Sequence, residues 1–229
     1  NRLFESMKAI NIDSPINKKS YYYHIKNIIK KNLIHDGLIY LQVTRGVSPR
    51  DFKFPSNVKS SIVIIGRSLK AGAYENKFAS GIRVKTVPDE RWKRVDIKTI
   101  NLLAPVLAKQ YATDNKCEEA WLIDEKGFIT EGSSSTAWIL KKNTLYTTPL
   151  SKSILNGITR RSLIKGLRIN NLKLLERKFN FSDIKSADEA YITSATQLVM
   201  PVIKVDNIKI GNGKVGKNAH IFKKIYMEA

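Results

Sequence analysis

Lys98, within VDIKTINLL at residues 95–103, offers the most reactive chemistry in this sequence. A lysine held at a strand end and facing a pocket loses its proton more readily and attacks a carbonyl to form a Schiff base. Spacing predicts such a strand end over 95–98, with Asp96 and Lys98 on one face and Val95 and Ile97 packed behind. Local spacing does not separate this from a solvent-facing lysine. Three further stretches carry chemistry of their own. In ITEGSSSTAWIL (129–140), Glu131 precedes a glycine and three serines. Its carboxylate suits a ring nitrogen, and the serine hydroxyls and turn amides suit either an anion or the ordering of that glutamate. In LNGITRRSLIKGL (155–167), Gly157 frees the backbone and Thr159 is the candidate N-cap of a helix whose first N–H groups point at a phosphate. In ITSATQLVMP (192–201), a strand end offers Thr193, Ser194 and Thr196 as further donors.

The elements that must hold these residues follow from periodicity. Leu3, Met7 and Ile10 predict a helix at the start of the sequence. A second helix is expected over 20–34, with Tyr22, Ile25, Ile29 and Leu33 on one face under Ser20 as cap. Alternation predicts strands at GLIYLQVT, with Tyr40 on the face of Leu38 and Gln42, and at SIVIIG. The period lapses over 67–80, marking a linker, and GIRVKTV restarts a strand. Ile100, Leu103, Leu107 and Tyr111 predict a helix over 100–114 in which Pro105 falls in the first turn, where no intrahelical bond is due. Short strands follow at AWLID, GFIT, STAWIL and TLYTT, then a helix over 160–169, strands at 173–178 and 189–194, and a helix after Asn218. This mixture predicts an α/β (mixed α+β) fold with a small domain over 1–70 and a larger one over 71–229.

Composition narrows the function classes. Twenty more basic than acidic residues invite a polyanion. The charge is scattered, however, with lysine pairs at 18–19, 30–31 and 141–142, and no nucleic-acid recognition motif accompanies it. A solvated lysine-rich surface is expected, with no nucleic-acid partner. Cys117 is the only cysteine, which excludes an intrachain disulfide and fits a reducing compartment. His24, His35 and His220 form no compact ligand spacing, so no metal is expected. No apolar run reaches bilayer length and no signal pattern opens the sequence, so a cytoplasmic protein without a membrane partner is expected.

Taken in order, TRGVSPRDFKFP, DIKTINLLAPVLAKQYA, TEGSSS, NGITR and ITSAT resemble the class IV aminotransferases, the fold-type IV pyridoxal-phosphate enzymes. The resemblance is nearest to the D-amino acid transaminases, the D-alanine transaminases among them. It implies a two-domain fold, pyridoxal 5'-phosphate as cofactor in the larger domain, and transfer of an amino group between D-amino acids and 2-oxo acids. By it, Lys98 is the Schiff-base lysine and proton carrier, and Glu131 faces the pyridine nitrogen. Arg2, Ile158, Thr159, Ser194 and Ala195 hold the phosphate, and Leu155 packs on the ring. Arg50 takes the substrate carboxylate across a homodimer interface, with Tyr40 near it. Three departures stand out: the family's segment ahead of Arg2, with its glycine-rich stretch and tyrosine, has no match; Phe52 replaces a histidine; and Ala195 replaces a threonine. The first suggests a small domain truncated at its amino end. Alternatives are a branched-chain aminotransferase, a 4-amino-4-deoxychorismate lyase, or an inactive truncated relative.

Overall fold

A computed structural model describes residues 1–70, 72–170 and 172–228. The chain divides into two compact units, Asn1–Ala73 and Tyr74–Ala229. In the first, α1 (Arg2–Ala9) and α2 (Lys18–Lys31) precede an antiparallel pair, β1 (Gly37–Thr44) and β2 (Ser61–Ser68). Asn17, not Ser20, caps α2: its side chain accepts the Ser20 N–H at 3.0 Å, which places Ser20 inside the first turn. The buried face of α2 is correspondingly rotated. Tyr21 is buried, whereas Tyr22 and Leu33 are exposed.

The second unit continues from a division that falls within the first turn of α3 (Ala73–Ser80), a helix in the stretch expected to be a linker. Its pattern is weak because only Phe78 is buried. There follow β3 (Ile82–Pro88), α4 (Leu103–Asp114), β4 (Glu119–Ile123), β5 (Ile129–Gly132), β6 (Thr136–Lys141) and β7 (Thr144–Thr147). After α5 (Ile158–Ile169) come β8 (Lys173–Glu176), α6 (Phe181–Lys185), β9 (Glu189–Ser194), β10 (Leu198–Val205), β11 (Ile208–Lys209) and α7 (Asn218–Glu228). These strands form one mixed sheet in the order β5-β4-β3-β10-β9-β6-β7-β8, with β11 on β10. β3 runs parallel to β4 and β10, β7 runs parallel to β8, and the other pairs are antiparallel.

Trp121, Trp138, Phe179, Ile139 and Ile192 fill the core of this unit. Strands β4, β6 and β9, which carry all of these but Phe179, are buried on both faces, which is why their sequences are nearly continuous apolar runs. The helix with Pro105 forms as expected, with the proline third in α4. Its orientation is reversed: Ala108 and Ala112 are buried, and Leu103, Leu107 and Tyr111 are exposed. Small residues let α4 approach β3 and β4 closely, so periodicity locates the helix without saying which side faces inward.

Candidate active site

Lys98 does not end a strand. β3 stops at Pro88, and residues 89–102 form an irregular loop in which Ile97 is buried and Lys98 exposed. Two bonds tie this loop to the segment that leads into α5: Val95 N–H donates to Lys152 O at 3.1 Å, and Arg91 Nη2 donates to Ser153 O at 3.1 Å. Asp96 pairs with Arg94 through two bonds of 3.0 Å.

Glu131 lies on β5, the edge strand, and its side chain is only 6% exposed. Between β4 and β5 the register runs from Trp121 opposite Gly132 to Ile123 opposite Ile129, so β5 carries one extra residue. Neighbouring residues on a regular strand point to opposite faces; a bulge breaks that alternation. Here both Thr130 and Glu131 reach Arg91, whose Nη2 lies 3.4 Å from Thr130 Oγ1 and whose Nη1 lies 2.5 Å from Glu131 Oε1. Arg91 also grips Asp89, with Nε and Nη2 donating at 2.8 and 2.7 Å. Leu155 N–H donates to both Glu131 oxygens at 3.1 and 3.2 Å, so Leu155 meets the carboxylate through its backbone.

One guanidinium thus serves two carboxylates, Glu131 buried and Asp89 partly so, and among these three side chains negative charge exceeds positive by one. Burial acts to raise Asp89, but hydrogen bonds and charge from Arg91, with the Thr130 hydroxyl, hold it below the usual carboxylate range. Burial dominates at Glu131 and pushes it up to about 7 despite Arg91 and the Leu155 N–H, with the Asp89 charge adding to the rise. Arg91 itself is raised, since its two carboxylates outweigh its desolvation. A nearby cation donating to Glu131 would restore the balance.

The helix start is equally incomplete. The N-cap of α5 is Gly157, and no side chain caps it. Thr159, expected as the cap, is the second residue of the helix, 2% exposed, and its Oγ1 has no hydrogen-bond partner. Orphan N–H groups and a dipole make such an end receptive to an anion. A Cβ at Gly157 would lie 3.3 Å from Thr136 Oγ1. Thr136 opens β6 and pairs with Thr193 of β9. Ser194 is the next residue, and its Oγ accepts the Gln197 N–H at 3.0 Å in the turn that exposes Ala195. Glu131, Leu155, Ile158, Thr159 and Ser194 therefore belong to adjoining ends of β5, α5 and β9.

Arg2, Tyr40 and Arg50 fall in the first unit. Arg2 opens α1, and Tyr40 on β1 donates its hydroxyl to Gln42 at 2.5 Å. Arg50 lies in the loop after β1, 5.3 Å from the centroid of the Phe52 ring. The serines of TEGSSS are not an anion site: each donates its single O–H to Glu119, the first residue of β4. Arg91, Asp89 and Glu119 escaped the sequence reading. The Asp-x-Arg spacing directly after a strand and just before Lys98 was the available signal.

A buried carboxylate, an uncapped helix start and the loop of Lys98 are thus joined by hydrogen bonds into one region. Residues 1–205 match the model of the class IV amino-transferases, and the chain belongs to that family. It is 37% identical over 217 residues to the D-alanine aminotransferase of Staphylococcus haemolyticus, an alignment covering 94% of this chain and 76% of the relative. Its fold matches the branched-chain amino acid aminotransferase of Escherichia coli with a TM-score of 0.90 at 20% identity, covering 99% of this chain and 76% of the other. The branched-chain amino acid aminotransferase of Thermobaculum terrenum, solved in its PLP form, matches with a TM-score of 0.86 at 20% identity, covering 99% and 75%.

Proposed function

We propose that this chain is a pyridoxal 5'-phosphate-dependent transaminase that moves an amino group between D-amino acids, D-alanine in particular, and 2-oxo acids. The observation that carries this reading is the charge imbalance at Glu131: this buried carboxylate and Asp89 share Arg91, and a protonated ring nitrogen would supply the second positive charge. The residues fit the phosphate as well, since the start of α5 is uncapped and Thr159 Oγ1 lacks a partner. Bound pyridoxal phosphate supplies an aldehyde that accepts the amino group and a ring that draws electrons from the substrate Cα.

In this reading Lys98 Nζ would anchor the cofactor covalently and, when free, would be the base that takes the proton from the substrate Cα and delivers it to C4′ of the cofactor. Glu131 keeps the ring nitrogen protonated. The N–H groups of Ile158 and Thr159, the Thr159 hydroxyl, Ser194 Oγ and the Ala195 N–H would hold the phosphate, and Leu155 would pack on the ring. The motif match assigns Arg2 to the phosphate, and Arg50 with Tyr40 to the substrate carboxylate, where a planar guanidinium offers two parallel bonds. On the same resemblance we expect the carboxylate trap in a smaller domain over 1–70, the cofactor in a larger domain over 71–229, and a homodimer as the working form. The lone Cys117 fits the reducing cytoplasm. Preference for D-amino acids follows the 37% identity to a D-alanine aminotransferase; likeness to the two branched-chain enzymes, at 20%, speaks for fold alone.

Pyridoxal phosphate is added to the purified chain, followed by borohydride and peptide mass analysis. We expect a reduced adduct on Lys98 that Lys98→Ala abolishes, with a loss of about 1000-fold or more in transamination of D-alanine with 2-oxoglutarate. Absence of an adduct on the unmutated chain overturns the enzyme reading. Turnover of L-leucine without D-alanine overturns the substrate assignment, and pyruvate released from 4-amino-4-deoxychorismate without an added oxo acid would make the chain a lyase.

A further inference from the structure

We propose that Glu119, a residue with no contact to the reacting atoms, is the positioning residue for Glu131, acting through the three serines that follow it. The inference rests on the cofactor reading above and names what holds its ring carboxylate in place. Glu131 needs such a support. It sits on an edge strand that pairs with β4 and, through the Ile129 N–H, donates one backbone bond to Phe179 O, and it lies in the stretch where the extra residue of β5 breaks the ladder. Regular strand pairing therefore does not fix its backbone.

Glu119 provides the missing support from below. Its side chain is fully buried, and five donors converge on it. Ser133 Oγ and the Ala120 N–H, at 2.9 Å, donate to Oε1, and Ser134 Oγ and Ser135 Oγ donate to Oε2 at 3.0 Å each. Lys109 Nζ from α4 lies 3.5 Å from Oε1 and also donates to Glu118 O. All five groups are donors, the complement of an ionised carboxylate, which only accepts. Two backbone bonds then pass the constraint to β5: Ser133 N–H donates to Ala120 O at 2.9 Å, and Gly132 N–H donates to Ser135 O at 2.7 Å. The turn closes so tightly that a Cβ at Gly132 would lie 2.2 Å from Ser135 Oγ, so a side chain beside Glu131 would push that hydroxyl off Glu119. Lys109 extends the link to α4, the helix that begins five residues after Lys98.

Glu119→Gln tests this because it keeps the shape, replaces one acceptor oxygen by a donor and removes the charge facing Lys109. Three readouts separate positioning from mere packing: thermal melting without cofactor, amide hydrogen exchange at residues 132 and 133, and the dissociation constant for pyridoxal phosphate. We expect a cooperative melt, exchange at Gly132 and Ser133 faster by about 10-fold with β9 and β10 unchanged, and affinity lower by about 10-fold. Ser133→Ala/Ser134→Ala/Ser135→Ala should reproduce both effects, and its combination with Glu119→Gln should add little, because both remove one network. If Glu119→Gln fails to fold, Ser134→Ala carries the same three readouts, with an effect of about 3-fold expected. Unchanged exchange and affinity, with or without a lower melting temperature, overturn the proposal while leaving the cofactor reading intact. If the unmutated chain binds no pyridoxal phosphate, that reading falls and the positioning of a ring carboxylate falls with it, whatever the exchange shows of the loop.

Discussion

Glu119 and Glu131 are buried carboxylates on adjacent strands, and their surroundings differ sharply. Five donors converge on Glu119, whereas Glu131 has the Leu155 N–H and a guanidinium that it shares with Asp89. Two helices of the same unit repeat the contrast. At α6, the Asn180 side chain accepts from Ser182 and Asp183 N–H groups and Asp183 returns a bond to the Asn180 N–H, a complete capping box on a five-residue helix. At α5, a glycine stands at the cap and the buried Thr159 hydroxyl is unpartnered. Buried polar groups without partners are costly, and most of this unit avoids them. Negative charge in excess around Arg91 and an open start of α5 lie side by side, and on the proposed reading a ligand with a cationic ring and an anionic tail would complete both.

The contrast can be broken hardest at Arg91. Arg91→Met leaves Asp89 and Glu131 buried without their cation and should cost about 3–5 kcal/mol in urea unfolding at neutral pH. Lys109→Met, beside the fully satisfied Glu119 and with a side chain 38% exposed, should cost about 1 kcal/mol or less. Equal losses would erase the distinction between the two sites.

A pH series sharpens the same point. The folded chain holds the Glu131 proton more tightly than the unfolded chain, so its contribution to stability is full below about 4.5 and is lost as pH rises toward about 7. Stability of the cofactor-free chain relative to Glu131→Gln should therefore fall across that window by about 1–3 kcal/mol. A flat difference from pH 4.5 to 8 would mean that Glu131 carries no excess charge.

The two helix starts should respond to opposite measurements. Asn180→Ala should cost about 1 kcal/mol of stability and leave pyridoxal phosphate affinity unchanged. Thr159→Val removes an unpartnered hydroxyl, so stability without cofactor should stay within about 0.5 kcal/mol while affinity falls by about 10-fold.

The open region was the more legible of the two in the sequence. Lys98, Glu131 and the NGITR helix start lie in short motifs that keep their order along the chain, and most strands from 82 to 147 announced themselves as apolar runs. What stayed hidden depends on contacts between distant residues. The bulge that turns Thr130 and Glu131 to one side adds a residue to a ladder that only pairing reveals. Arg91 reaches Glu131 across 40 positions, and Glu119 collects serines 14 to 16 positions away. Glycine at the α5 cap misled for a physical reason: a hydroxyl residue beside it is the usual cap, and here the end is left uncapped. The outward face of α4 misled similarly, because alanines, not leucines, pack against the sheet.

On this account the incomplete region is a seat for pyridoxal phosphate. Urea unfolding of the unmutated chain, Asn180→Ala and Thr159→Val, each with and without the same concentration of pyridoxal phosphate, tests it most directly. At about 100 times the dissociation constant of the unmutated chain, the cofactor should add about 2.7 kcal/mol to the unmutated chain and to Asn180→Ala, and about 1.4 kcal/mol to Thr159→Val. No added stability in the unmutated chain, or equal gains in all three, would contradict it.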